Sequence, residues 1–298
     1  MTLFLSLLQF LVIAGVIIAI AYLAVSIFLL LKQRKLIFLP SLTLENTPDI
    51  FNLPYEDIWL QVSAKNQIET IHGWWIPAPS FARSSNSLKS SDLVLFYLHG
   101  NSYNMGAKID EIHRYHQMGF DVVSLDYRGY GRSTGDFPSE AQIYEDVDIF
   151  FNYLIDKRRI NPKNILVYGH SLGGAIAIEL AMRHPQFAAL IVQSSFTSMV
   201  EQVNTMAKYK LWPINLLLHQ RFDSISKVSQ LKMPVFFIHG TDDRLIPPYM
   251  SEKLFELAPE PKELFIVPGA DHNNVSAIAG DEYSRRIIAF VQKIFQRI

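Results

Sequence analysis

The sequence predicts an α/β protein, an eight-stranded and mostly parallel sheet with helices on both faces, preceded by one transmembrane helix. Three observations carry that expectation. The N-terminus holds a long uncharged run, the remainder is punctuated by short apolar runs, and stretches of helical length alternate with those runs.

From Thr2 to Leu31 no residue is charged, and the first charge is Lys32. As a helix that run is about 45 Å long, against a hydrocarbon core of roughly 30 Å. A cleaved signal peptide has a shorter apolar stretch behind a basic start. No Lys or Arg precedes the run, and no clean small-x-small site follows it. Residues 2–31 are therefore expected to stay in the bilayer as a single-pass anchor. Lys32, Arg34 and Lys35 lie just behind it, which by the positive-inside rule leaves the rest of the chain on the cytoplasmic side. The expected division is an anchor with basic flank, 1–35, and one folded α/β domain, 36–298.

Tyr55–Val62 and Ile68–Trp75 alternate apolar and polar residues and predict a strand pair. A serine-rich stretch between Pro79 and Asp92 predicts an exposed loop. Then come Leu93–Leu98, Val122–Leu125, Ile165–Tyr168, Leu190–Val192, Val235–Ile238 and Leu264–Val267. Runs apolar throughout mark strands buried on both faces, as in a parallel sheet. Helices are expected over 105–118, 139–157, 172–184, 249–258 and 281–297, which makes βαβ units. Glycine or polar residues follow nearly every strand, among them His99-Gly100, Gly169-His170-Ser171 and His239-Gly240. Ligands bind beyond the carboxyl ends of such strands, so the chemistry is expected there.

Composition narrows that chemistry. With 27 Lys and Arg against 28 Asp and Glu, the chain lacks the basic stripe a nucleic-acid binder needs. It has no cysteine, which removes thiolate metal sites, disulfides and a cysteine nucleophile. No cofactor or metal is called for.

G-x-S-x-G occurs twice, at Gly169-His170-Ser171-Leu172-Gly173 and at Gly131-Arg132-Ser133-Thr134-Gly135. A nucleophile elbow needs a buried strand before its serine and a helix directly after. Ile165–Tyr168 and Ala175–Ala181 supply both around Ser171, whereas Ser133 runs into Asp136-Phe137-Pro138. A serine hydroxyl needs a neighbouring base. Of the nine histidines only His184, His219, His239 and His272 follow Ser171. His272, on a loop after the last strand, is placed to hang over the serine. The acid is expected after the preceding strand, where Asp242 and Asp243 are both reachable and spacing does not choose. An oxyanion needs two backbone N–H groups. Leu172 supplies one, and the loop His99-Gly100-Asn101-Ser102 the other.

Five motifs together resemble the α/β-hydrolase superfamily, and within it the small membrane-anchored α/β-hydrolase-domain serine hydrolases. They are residues 34–40 (RKLIFLP), His99-Gly100-Asn101-Ser102, Asp126-Tyr127-Arg128-Gly129-Tyr130-Gly131, Gly169–Gly174 and His239-Gly240-Thr241-Asp242-Asp243. The resemblance implies Asp243 as the acid and Asn101 as the second oxyanion donor, with a Ser171–His272–Asp243 triad. It implies structural roles for Asp126, Tyr127 and Arg128. Asp271 departs from the glycine that relatives often carry, and is expected either to perturb His272 or to offer a competing carboxylate. The implied activity is hydrolysis of a carboxylic ester or thioester in a small acyl, lipid or acylated-protein substrate. A serine peptidase or amidase is the alternative, and an inactive binding protein a lesser one.

Residues 198–229, between the sixth and seventh strands, are too few for a separate cap domain, so a rather open pocket with a short lid is expected. Within them Lys208-Tyr209-Lys210-Leu211-Trp212-Pro213-Ile214 predicts a lid that either faces lipid or packs on the protein.

Overall fold

The computed structural model describes residues 2–64, 67–79 and 93–296. The expected serine-rich loop falls largely outside them. Eight strands form the main sheet: β1 (Glu56–Ala64), β2 (Gln67–Ile76), β3 (Val94–Leu98), β4 (Asp121–Asp126), β5 (Ile165–His170), β6 (Ala189–Gln193), β7 (Val235–Gly240) and β8 (Lys262–Val267). Their order is β1-β2-β4-β3-β5-β6-β7-β8. All pair in parallel from β4 to β8, and β2 is antiparallel to both of its neighbours.

Each strand expected from an apolar run is present, within two residues at either end. In β3 the alternation sends Val94, Phe96 and Leu98 to one face and Leu95 and Tyr97 to the other. That is why the run reads as continuously apolar: both faces are covered. One face packs on α3 (Glu140–Asp156) through Ile143, Val147 and Phe150, and on α4 (Leu172–Arg183) through Ile176 and Leu180. The other packs on α2 (Ile109–Gln117) through Ile112 and Tyr115, and on α9 (Asp281–Phe295) through Tyr283, Ile287 and Phe290. A reciprocal capping box between Ser139 and Gln142 starts α3. Three shorter helices complete the body: α5 (Met199–Thr205), α6 (Ile214–Leu217) and α8 (Val275–Ala279). α7 (Tyr249–Leu257) follows β7.

The N-terminal run is one helix, α1 (Thr2–Ile37), long and apolar enough to cross a membrane. The boundary expected after residue 35 falls inside this helix. From Phe4 to Ala21 its side chains are exposed, apart from a half-buried Ala14. Beyond Tyr22 one stripe turns inward, with Ser26, Gln33 and Ile37 buried and Leu29 half-buried. These residues recur every three or four positions and make one helix face. The next residues bind the body directly. Leu39 and Pro40 pair in parallel with Ser102 and Tyr103, and Phe38 is fully buried against Phe222.

Candidate active site

β5 delivers Ser171 at φ 57°, ψ −121°, a backbone conformation that costs energy in any residue but glycine. Its surroundings hold it there. Ser171 N–H donates to Gln193 O at 2.9 Å, and Ser195 Oγ donates to Ser171 O at 2.8 Å. The turn is this tight only because glycines flank it. A Cβ on Gly169 would strike the Gly173 carbonyl, and one on Gly173 would strike the Leu98 carbonyl.

The structure brings Ser171, His272 and Asp243 into one hydrogen-bonded line. His272 Nε2 lies 3.0 Å from Ser171 Oγ, and His272 Nδ1 lies 2.7 Å from Asp243 Oδ2. A carboxylate can only accept at Nδ1, which fixes the tautomer with a free Nε2 lone pair facing the serine hydroxyl. Asp243 Oδ1 accepts from the Leu245 and Ile246 N–H groups at 2.9 and 2.8 Å. Burial pushes the Asp243 carboxyl up, but hydrogen bonds from His239 and His272 outweigh it and hold the group below the usual carboxylate range.

The residues weighed against these three have other partners. Asp242 is exposed and accepts from Thr241 Oγ1. Ser133 donates to Asp126 O at 2.6 Å and accepts from His72 N–H, so its hydroxyl braces backbone. Asp271 is exposed and accepts from the Asn273 and Asn274 N–H groups, so it neither contacts the His272 ring nor competes with Asp243. His184 binds Asp148, on the surface of α3.

Two histidines that the sequence reading did not assign support the line. His239 Nε2 donates to Ile246 O at 2.9 Å and to Asp243 Oδ2 at 3.1 Å, while its Nδ1 accepts from Ser251 at 2.6 Å. His170 Nε2 donates to His272 O at 3.0 Å and steadies the loop that carries the imidazole. Burial holds His170 well below its ordinary pKa, so it stays neutral. Position directly before Gly240 and before Ser171 was the available signal for both.

Asn101 and Leu172 both line the cavity in front of Ser171. As the first residue of α4, Leu172 has an N–H without an intrahelical acceptor. Asn101 is held on three sides. Its Nδ2 donates to Ile37 O at 2.8 Å, and its carbonyl accepts from Leu39 N–H at 2.9 Å and from Tyr130 O–H at 2.7 Å. Tyr127 O–H likewise donates to His99 O. Arg128, from the same motif, binds the buried Asp146 twice, through its backbone N–H and through Nε.

The expected open pocket is instead walled. A cavity of about 320 Å³ lies over Ser171, which is only 7% exposed. The short segment after β6 roofs it, and α1 supplies a wall that no count of residues between strands can anticipate. The lid packs on that helix, with Trp212 stacked on Tyr22 at 4.5 Å between ring centroids. Leu211 and Leu216 point outward at 81% and 77% exposure.

This strand order, with an elbow after β5 and loops after β7 and β8 converging on it, defines an α/β hydrolase. Comparison with known proteins agrees. Residues 89–226 match the family described as serine aminopeptidase, S33, and residues 196–298 match the PhoPQ-activated pathogenicity-related family. Protein bem46 of Schizosaccharomyces pombe is 32% identical over 274 residues, which cover 89% of this chain and 87% of that protein. The α/β-hydrolase domain-containing protein WAV2 of Arabidopsis thaliana is 27% identical over 303 residues, covering 95% and 91%. Among solved structures, the Pyrococcus furiosus esterase Pf2001 superposes with a TM-score of 0.67 at 20% identity, covering 86% of this chain and 98% of that one. The chain belongs to the α/β-hydrolase superfamily.

Proposed function

We propose that this hydrolase is a serine hydrolase that cleaves a carboxylic ester or thioester through an acyl-enzyme. The observation that carries the reading is the Ser171–His272–Asp243 line opening into an apolar cavity. Ser171 Oγ attacks the substrate carbonyl carbon as its proton passes to His272 Nε2. The carbonyl oxygen takes up the charge, met by the Asn101 and Leu172 N–H groups. The tetrahedral intermediate collapses, the alcohol or thiol departs with the proton from His272, and the acyl group stays on Ser171. Water then attacks that ester, gives a proton to His272, and the carboxylic acid leaves as Ser171 recovers its hydrogen. Asp243 holds the imidazole tautomer throughout and stabilises the imidazolium between the two proton transfers.

A peptidase reading draws on the matched S33 description. An aminopeptidase pairs the free ammonium of its substrate with negative charge, and among the described residues none that lines the cavity carries a carboxylate. Apolar lining favours an acyl chain over a peptide terminus. The catalytic body is assigned to the cytoplasmic face of the membrane that α1 crosses, on the charges of Lys32, Arg34 and Lys35. Kinetics of the purified full chain in detergent, on a panel of acyl esters, acyl thioesters and aminoacyl amides, test the substrate class. The expected outcome is turnover of the first two with amides at least a hundredfold slower. A preference for amides with a free amino terminus would replace this reading with the peptidase one.

A further inference from the structure

The helix that anchors the chain is longer than its anchoring requires. At 36 residues α1 reaches about 54 Å, and a bilayer core takes roughly 20 residues. Its last four turns run beside the catalytic body, and there the apolar stretch gains a second task. Leu29, Gln33, Leu36 and Ile37 line the cavity over Ser171 together with Met199, Val203 and Leu217.

Gln33 sets that arrangement. A glutamine buried on a membrane-type helix is costly unless its amide is fully partnered. Its Oε1 accepts from the His219 and Gln220 N–H groups at 2.7 and 3.2 Å, and its Nε2 donates to Leu30 O at 2.8 Å and Leu217 O at 3.3 Å. One side chain thus ties the end of α6 to the helix. Higher up, Tyr22 O–H donates to Leu211 O at 3.1 Å beside the Trp212 stack. The roof is therefore clasped to α1 at two levels about three turns apart. The cavity between the clasps and the elbow is lined mostly by apolar side chains, with Gln202 and Lys208 among the exceptions.

Resting on the serine-hydrolase reading, we infer that α1 is the specificity-determining wall of the acyl pocket. The substrate is a long-chain acyl ester or thioester whose chain lies between α1 and the 199–218 segment. Leu29 meets the chain along its length and Gln33 keeps the opposite wall in place. A pocket built this way exists only while anchor and body are docked, which couples chain-length preference to the membrane helix.

The test uses the full chain in detergent and a dodecyl fluorophosphonate bearing a diazirine at mid-chain. The probe phosphonylates Ser171 with loss of fluoride, and light then crosslinks its chain to whatever wall it touches. Peptide mass spectrometry is expected to find adducts on residues 26–37. Labelled Ser171 with adducts only on other elements, or on detergent alone, would overturn the inference and leave the hydrolase reading standing. An unlabelled Ser171 would remove both. A second arm compares p-nitrophenyl dodecanoate with butyrate. Leu29→Trp should lower the ratio of their kcat/KM values at least tenfold, whereas Leu23→Trp, on the exposed side of the same helix, should not change it. A Leu29→Trp ratio within twofold of wild type contradicts the assignment.

Discussion

Asp243 receives four hydrogen bonds, from two backbone N–H groups and from two imidazoles. An asparagine in its place keeps acceptors for the backbone but turns an N–H₂ towards His239 and His272. The His272 ring then favours the tautomer that presents a proton to the serine. On the proposed mechanism Asp243→Asn should cost about ten-thousand-fold in kcat/KM, and Asp242→Asn should leave activity near wild type, as ester kinetics will read. Sequence spacing could not separate these neighbours, because the difference between them is one of direction: one carboxyl is buried under His272 and the other faces water. A second buried pair makes a prediction about pH. Burial holds His99 down to about 4 and pushes Asp126 up to about 7, with their polar atoms 3.4 Å apart. Lys108 adds to the fall at His99, and Arg132 opposes the rise at Asp126. Between pH 4 and 6.5 the folded chain keeps the Asp126 proton that the unfolded chain has lost. Over the same window the unfolded chain carries the His99 proton that the folded chain refuses. These two differences oppose each other in the slope of stability with pH. Asp126→Asn removes the carboxyl contribution and leaves the histidine's. Relative to wild type, its stability should rise with pH across that window, by up to about 1.4 kcal/mol per unit. Thermal melts at pH 4.5 and 6.5 check this, and parallel profiles for the two proteins would refute it.

At the level of elements, the parallel strands were legible because burial on both faces writes itself as an unbroken apolar run, as in Val94–Leu98. The elbow was legible because a strand, two close glycines and a helix must sit together in sequence for its geometry to form. The wall of the pocket was not. Gln33 reads locally as one more polar residue of the basic flank, and its partners His219 and Gln220 lie far along the chain. Likewise α6 is a single short turn, and its ties to α1 decide its place more than its own periodicity does. Replacing Gln33 by leucine keeps the bulk but strands two N–H groups. His219 is exposed and Gln220 half-buried, so water takes over part of the lost bonding and the cost stays near the low end, about 1 kcal/mol. The clasp should open locally without unfolding the body. Amide exchange at His219 and Gln220 should quicken at least tenfold in Gln33→Leu, with β5 and β7 unchanged. Equal protection in both proteins would mean that packing alone holds the roof.

For the whole molecule, an apolar helix exposed from Phe4 to Ala21 and long enough to cross a membrane carries a folded body at its other end. On the proposed reading the chain is a membrane-bound hydrolase whose site faces its own anchor. The chain should sediment with membranes, resist extraction by carbonate and dissolve in detergent. Protease added outside intact cells or spheroplasts should spare the catalytic body, and digestion from outside would reverse the cytoplasmic assignment. The central claim is that Ser171 is the nucleophile, activated by His272. Intact mass spectrometry of the detergent-solubilised protein after treatment with a fluorophosphonate tests it most directly. The account predicts a single adduct, mapped to Ser171, absent from Ser171→Ala and greatly slowed in His272→Ala. An adduct that persists in Ser171→Ala, or that maps to Ser133, would contradict it.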